Sequence, residues 1–259
     1  MNILIGDIGN TITKICLIEI KNLKVNKVNY FNTKDLLSSF YIKTKLKKIL
    51  KNKFIIRYAL FSSVVPKYYF MLKKFLDKNY KISLREIKEK SIKKIVKINF
   101  KKRKQVGSDR IANAVGVYKK YKSNCIVVDF GTATTFDVVT KDGVYNGGII
   151  APGINLSLKS LVKSADQLPF FSLKRKNKII GKNTIDALRS GFYWGYSGLI
   201  NNIIYKIEQE TKKKYKIIFT GGYANLFKTS IIRKFTVEKN ITIEGIVEIL
   251  KENKQQLIK

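Results

Sequence analysis

The sequence predicts an α/β fold of two related lobes, each a mixed sheet flanked by helices, with a cleft between them. One observation is the stretch 126–153, IVVDFGTATTFDVVTKDGVYNGGIIAPG, where an apolar run delivers Asp129, a Gly131-Thr132 turn follows and alternation resumes through Val139. That pattern is a strand, a tight turn and a returning strand. A second is that residues 4–20, LIGDIGNTITKICLIEI, repeat it: laying Asp7 on Asp129 puts Gly9 on Gly131 and Asn10 on Thr132. Two copies about half a chain apart predict two halves facing one another. At each copy a carboxylate, hydroxyls and close-approaching glycine backbone converge, which suits a phosphate with a cation. A hairpin with a polar turn would show the same Asp-x-Gly signal.

In order, residues 24–31 add a candidate strand and residues 35–51 carry leucines at helical spacing. Residues 54–65 read as a buried strand ending at Ser62 and Ser63, after which Pro66 suits the first turn of a helix through residues 69–76. Residues 86–105 form the most lysine-rich tract, with a weak strand signal at 92–98, and a charge run of this kind is ordinarily a solvated surface. It leads into Val106, Gly107, Ser108, Asp109 and Arg110, and the stripe Ile111, Ala114, Val115, Val117 predicts a helix ending near Tyr121.

Asp109 and Arg110 therefore sit in a first helical turn. N-terminal capping alone would put a carboxylate there. The functional alternative has Asp109 facing the cleft as a base and Arg110 offering its fork to a carboxylate or phosphate. The lobes divide here, into residues 1–118 and 119–259.

Beyond Gly153 a helix is expected to about Asp166, then a loop over 168–178. A long helical region spans 181–210, with Gly191, Gly195 and Gly198 permitting close helix packing and Thr184 in its first turn. Residues 217–226 read as a buried strand, Gly221-Gly222 and a helix start, where a ring or phosphate can lie against backbone. The stripe at 241–250 predicts a core-facing or interface helix. Pro66, Pro152 and Pro169 all fall at element boundaries.

With 259 residues, 45% of them hydrophobic, the chain has ample material for packed cores. Its charge is unusual: Lys+Arg 52 against Asp+Glu 18 gives +34. Only seven of the basic residues are arginines and the lysines are scattered, whereas readers of bases and phosphates lean on arginine's planar fork. Specific nucleic-acid binding is not expected. No histidine is present, so Ser-His-Asp and Cys-His machinery and Cys/His zinc sites are excluded. A general base must be a carboxylate, lysine or tyrosine. Cys16 and Cys125 lie in apolar strands and are expected to be buried reduced thiols. Neither a signal-peptide pattern nor an 18-residue apolar run is found, and a cytoplasmic protein free of the membrane is expected.

Seven motifs in order carry a family resemblance: DIGNT at 7–11, VGSDR at 106–110, DFGTATT at 129–135, YNGGIIAPG at 145–153, Leu168-Pro169, GKNT at 181–184 and FTGG at 219–222. The chain resembles the type III pantothenate kinases, members of the acetate and sugar kinase, heat-shock chaperone and actin superfamily. The resemblance implies two ribonuclease-H-like (actin-like ATPase) lobes. It also implies ATP-dependent phosphorylation of pantothenate, the first step towards coenzyme A, with Mg²⁺ and a monovalent cation (K⁺ or NH₄⁺), in a homodimer whose site is built between subunits. Matched residue by residue, Asp7, Ile8, Gly9, Asn10, Thr11, Ile12, Thr13 and Lys14 correspond to the first ATP phosphate loop and Thr132 to a further ATP contact. Asp129 corresponds to the monovalent-cation ligand and Asp109 to the proton acceptor. Gly107, Ser108, Asp109, Arg110 and Thr184 correspond to pantothenate contacts.

Phe100 falls at another substrate position but departs from the pattern, since the family has a tyrosine and an Asn-Pro step before the GxDR motif and here KKRKQ follows a phenylalanine. Ser108 replaces the customary alanine. Two other functions stay open at this point: a regulatory or nucleic-acid-associated accessory protein on the same fold, and a kinase for another small hydroxyl compound.

Overall fold

The computed structural model describes residues 1–50 and 56–257. Its strands are β1 (Asn2–Ile8), β2 (Ile12–Glu19), β3 (Val28–Asn32), β4 (Ile56–Ser63), β5 (Ser83–Glu86), β6 (Lys97–Ile98), β7 (Cys125–Phe130), β8 (Ala133–Val139), β9 (Val144–Pro152), β10 (Lys216–Gly221) and β11 (Phe235–Val237). Its α-helices are α1 (Ser39–Leu50), α2 (Pro66–Tyr80), α3 (Ser108–Tyr121), α4 (Ile154–Ser164), α5 (Thr184–Thr211) and α6 (Ile241–Leu257). Contacts divide the chain into unit 1 (Met1–Lys122, Asp142–Asn146, Asn240–Lys259) and unit 2 (Ser123–Lys141, Gly147–Lys239).

In unit 1 the sheet order is β3-β2-β1-β4-β5, with β1 antiparallel to β2 and parallel to β4. All of β1 is buried, as a central strand covered on both faces must be. Leu46 of α1 and Leu72 and Leu76 of α2 join Leu4, Ile8 and Phe61 in one core. Each such side chain contributes roughly 1.5–3 kcal/mol on burial. Helix α6 packs on β1, β4 and α3, and a Cβ on Gly245 would run into the Ala112 carbonyl, so the two helices touch through their backbones.

Unit 2 repeats the plan. Its sheet runs β11-β10-β7-β8-β9, with β7 antiparallel to β8 and parallel to β10. In both units, then, the first strand lies centrally between its hairpin partner and a parallel neighbour. Helix α5 covers the sheet through Tyr193, Ile200 and Ile204, and Phe227 stacks between Phe130 and Tyr193 at centroid distances of 5.5 and 5.7 Å. Both cysteines are free and buried. Burial pushes the Cys16 thiol up to about 12 and raises that of Cys125 as well.

The two hairpins and the first-turn position of Asp109 and Arg110 agree with expectation. The helix expected over 35–51 is a 3₁₀ turn at Thr33–Leu37 followed by α1, and Lys51, Phe54 and Ile55 lie outside the described residues. Of the strand signal at 92–98 only β6 forms, beside Val144 and Tyr145 of β9. The helix start expected directly after Gly222 does not form. Residues 222–230 are turns with three-residue hydrogen bonds such as Leu226 N–H to Tyr223 O at 2.9 Å. The core claims Ala224 and Phe227 there, while Ser230 is bonded to Ser197 and Asn201 of α5.

Among the described residues Gly191, Gly195 and Gly198 form no packing seam, for a Cβ at any of them would meet nothing within 4 Å. The sequence division at residue 118 placed the C-terminal helix with the second lobe. Contacts instead group Asn240–Lys259 with unit 1, because α6 packs on α3.

Candidate active site

The first aspartate-glycine turn is held from below. Asp7, 7% exposed, is the last residue but one of β1, and residues 9–11 turn the chain into β2 with Gly9 N–H bonded to Ile12 O at 3.1 Å. Thr33 braces this turn: its hydroxyl donates to Gly9 O at 2.7 Å, its N–H to Thr11 O at 2.8 Å, and its oxygen lies 2.9 Å from that of Thr13. Ile8 and Thr13 point into the core and can offer a ligand only backbone, whereas Asn10, Thr11 and Ile12 are exposed and Lys14 half-buried. Nothing in the local pattern marked Thr33, since its role depends on β3 returning beside β2.

Asp109 reaches the same end of this sheet through α3. Ser108 is buried and exchanges two hydrogen bonds with Ser63, the terminal residue of β4. In parallel register beside that strand, Asp7 stands opposite Ser62 and Ile8 opposite Ser63. Asp7 and Asp109 are thus mounted on adjacent supports within unit 1. Asp109 Oδ1 accepts from Arg110 N–H at 2.8 Å, and the Arg110 guanidinium lies 5.8 Å from the centre of the buried Tyr145 ring. Gly107 caps the helix. Phe100 is 39% exposed, and its neighbour Asn99 ties the strand end to Tyr145 O at 2.9 Å.

Unit 2 carries the second turn. Asp129 is half-buried near the end of β7, opposite Thr220 on β10 and Thr135 on β8. Gly131 N–H bonds Ala133 O at 3.0 Å, leaving Thr132 exposed. Two glycines crowd this turn for reasons of space. A Cβ on Gly153 would strike the Thr132 carbonyl. Gly221 has φ +87, and a Cβ there would lie 2.6 Å from Phe130 O and 2.7 Å from Asp129 Oδ1. Left-handed backbone and close approach both demand glycine. Thr184 is exposed at the start of α5, whose cap is the Asn183 side chain accepting from Asp186 N–H at 2.9 Å.

The donors suit hard cations. In register with Asp7 is the Ser62 hydroxyl, and with Asp129 the Thr220 hydroxyl; both are fully buried and lack a hydrogen-bond partner among the described residues. Carboxylate plus hydroxyl oxygen is what Mg²⁺ and K⁺ take. No group of three His, Cys, Asp or Glu that could hold a metal occurs among the described residues, so such ions would rest largely on ligand and other oxygens. Ser62 and Thr220 were not foreseen, because strand register is not written in either segment alone.

Two solved structures share the fold. A Campylobacter jejuni protein assigned to a Baf family of transcriptional activators superposes with a TM-score of 0.63 at 22% identity over 97% of this chain and 99% of that one. The (R)-2-hydroxyglutaryl-CoA dehydratase component A of Acidaminococcus fermentans gives 0.58 at 10% identity over the whole of both chains. At such identities the likeness is one of fold. Two units of this topology, each with an aspartate-glycine turn after its central strand, define a class of α/β proteins built from a repeated sheet plan. Within that class a family model for the type III pantothenate kinases matches residues 3–206. A type III pantothenate kinase of Pelagibacter ubique is 50% identical over 245 residues, covering 95% of this chain and 97% of its own. One from a Jannaschia species is 41% identical over 198 residues, 76% of each. The chain belongs to the type III pantothenate kinases. No helix among the described residues is long and apolar enough to cross a membrane.

Proposed function

We propose that this protein transfers the γ-phosphoryl group of ATP to the hydroxyl of pantothenate, giving 4'-phosphopantothenate in the first step of coenzyme A synthesis, in the cytoplasm. The observation that carries this is the mounting of Asp7 and Asp109 at one end of unit 1, through the Ser63–Ser108 pair beside β1.

Asp109 accepts the hydroxyl proton as the oxygen–phosphorus bond forms, and the bond from the γ-phosphorus to its bridging oxygen breaks to release ADP. Such transfers need positioning and charge neutralisation more than covalent help, so the lack of histidine is no obstacle. The turn at residues 9–11 offers backbone N–H groups and the Asn10 and Thr11 side chains to phosphate oxygens, with Lys14 nearby on β2, while Thr132 supplies a further ATP contact.

Arg110, its guanidinium set over Tyr145, offers a fork to the pantothenate carboxylate. Gly107 contributes through backbone, and so does Ser108, because its hydroxyl is engaged by Ser63. Phe100 lends a ring face but no hydroxyl. Thr184 is assigned to pantothenate across a homodimer, which accounts for its exposure.

Asp7 with Ser62 would hold Mg²⁺, and Asp129 with Thr220 a monovalent cation. When bound, these ions neutralise phosphate charge. A coupled ADP-release assay with ATP, Mg²⁺ and K⁺ tests the assignment. Turnover requires pantothenate, and Asp109→Asn lowers kcat by roughly 10²–10⁴ with little change in the KM for ATP. ADP release indifferent to pantothenate in folded protein overturns it.

A further inference from the structure

The lysine-rich tract is not a plain solvated face. Its apolar members Ile87, Ile92, Val96 and Ile98 are buried, and it is pinned to α6 by Asn253, which accepts from Lys93 N–H at 2.6 Å and donates to Lys93 O at 3.2 Å. Lys88 Nζ closes the tract on itself by donating to Lys104 O at 3.0 Å and Val106 O at 2.8 Å.

Between this tract, α3 and α6, within unit 1, lies a cavity of about 90 Å³. Ile87, Val96, Val115 and Ile249 supply buried apolar walls, and the half-buried Ile95 adds another. Lys94, Arg103 and Lys104 line it with exposed cationic side chains. No carboxylate lines it, and neither do the residues assigned above to ATP, pantothenate or cations. Among the described residues none of these three cations is paired with a carboxylate. Lys94, Ile95, Val96, Ile98 and Arg103 also line a wider depression of about 320 Å³.

An apolar pocket gains by covering hydrocarbon, and unpaired cations at its edge gain by meeting an anion through charge-assisted hydrogen bonds. A neutral hydrocarbon would leave the cations unanswered, and a bare inorganic anion would leave the apolar walls wet. We propose that this pocket binds a small amphiphilic anion, its short unbranched alkyl chain against Ile87, Ile95, Val96 and Ile249 and its carboxylate or phosphate ester at Lys94, Arg103 and Lys104.

Calorimetric titration of the full chain with octanoate, octyl phosphate, 1-octanol and inorganic phosphate tests this. Octanoate and octyl phosphate bind at one site per chain, 1-octanol about tenfold more weakly, and inorganic phosphate without saturation. Ile95→Glu abolishes octanoate binding. Arg103→Ala, an exposed change that leaves the core intact, weakens it about tenfold, and saturating ATP and pantothenate leave it unchanged. The proposal is overturned if octanoate does not bind, if both variants bind it like the parent chain, if pantothenate or ATP competes, or if binding is seen only to anionic lipid vesicles.

Discussion

Ser63 and Ser108 exchange a pair of hydrogen bonds: Ser63 N–H donates to Ser108 Oγ at 2.9 Å and Ser108 Oγ donates to Ser63 O at 2.7 Å. The pair fastens the first residue of α3 to the last residue of β4. Ser108→Ala strands the N–H and carbonyl of Ser63 beside a buried methyl group, at a cost of about 1–3 kcal/mol. A lower urea midpoint is expected, together with a KM for pantothenate that rises more than that for ATP, because Asp109 and Arg110 follow directly on α3. An unchanged midpoint would show that the pair carries no net stability.

Glu86 makes folding sensitive to pH. Burial raises its carboxyl above the ordinary 4.5, against the opposing help of the Lys88 N–H, which donates to Glu86 Oε2 at 2.7 Å. The folded chain therefore holds this proton more tightly than the unfolded chain, and stability falls as pH climbs from the ordinary value through the raised one. Glu86→Gln removes that loss. Urea midpoints measured against pH are expected to converge with the parent's below the ordinary value and to exceed them at neutral pH.

Gly153 and Gly221 guard the second turn. Gly153→Ala drives a methyl group into the Thr132 carbonyl, costing roughly 1–3 kcal/mol as overpacking and displacing a proposed ATP contact. Gly221→Ala adds left-handed strain of roughly 1–2 kcal/mol and a methyl group against Asp129. Thermal melts should record both losses. Steady-state kinetics should show a raised KM for ATP in the first variant and a raised K⁺ requirement in the second.

Thr220→Val separates structure from cation binding. The hydroxyl it removes is fully buried and unpartnered among the described residues, so stability is expected to hold or rise slightly. The K⁺ concentration for half-maximal rate is expected to increase several-fold, as one oxygen donor beside Asp129 is lost. A destabilised variant with an unaltered K⁺ response would remove Thr220 from the cation site.

Much of this was legible along the chain because it is local. Strand, aspartate and glycine turn are contiguous at Asp7 and again at Asp129, and the stripe after Arg110 announces α3. Short pieces were not legible: β5 has four residues and β11 three, too few for a period to show. Partners set by register, such as Ser62 for Asp7 and Thr220 for Asp129, appear only once β4 and β10 are laid beside β1 and β7. The helix start expected after Gly222, within 217–226, is a run of turns instead, because a strand followed by diglycine looks the same ahead of either and tertiary bonds from α5 decide the backbone. The glycines of α5 looked like a contact seam and proved open, since spacing reports a face and not what covers it.

Unit 1 draws on Met1–Lys122, on the short segment Asp142–Asn146 and then on Asn240–Lys259, with α6 seated on β1 and α3. During synthesis the ribosome delivers β1 early and α6 more than two hundred residues later. The buried face of β1 must therefore wait, shielded by provisional collapse or by a chaperone, while unit 2, whose segments lie between, can fold as it emerges. Nascent-chain protease protection should accordingly appear in the inserted unit before the one that begins the chain.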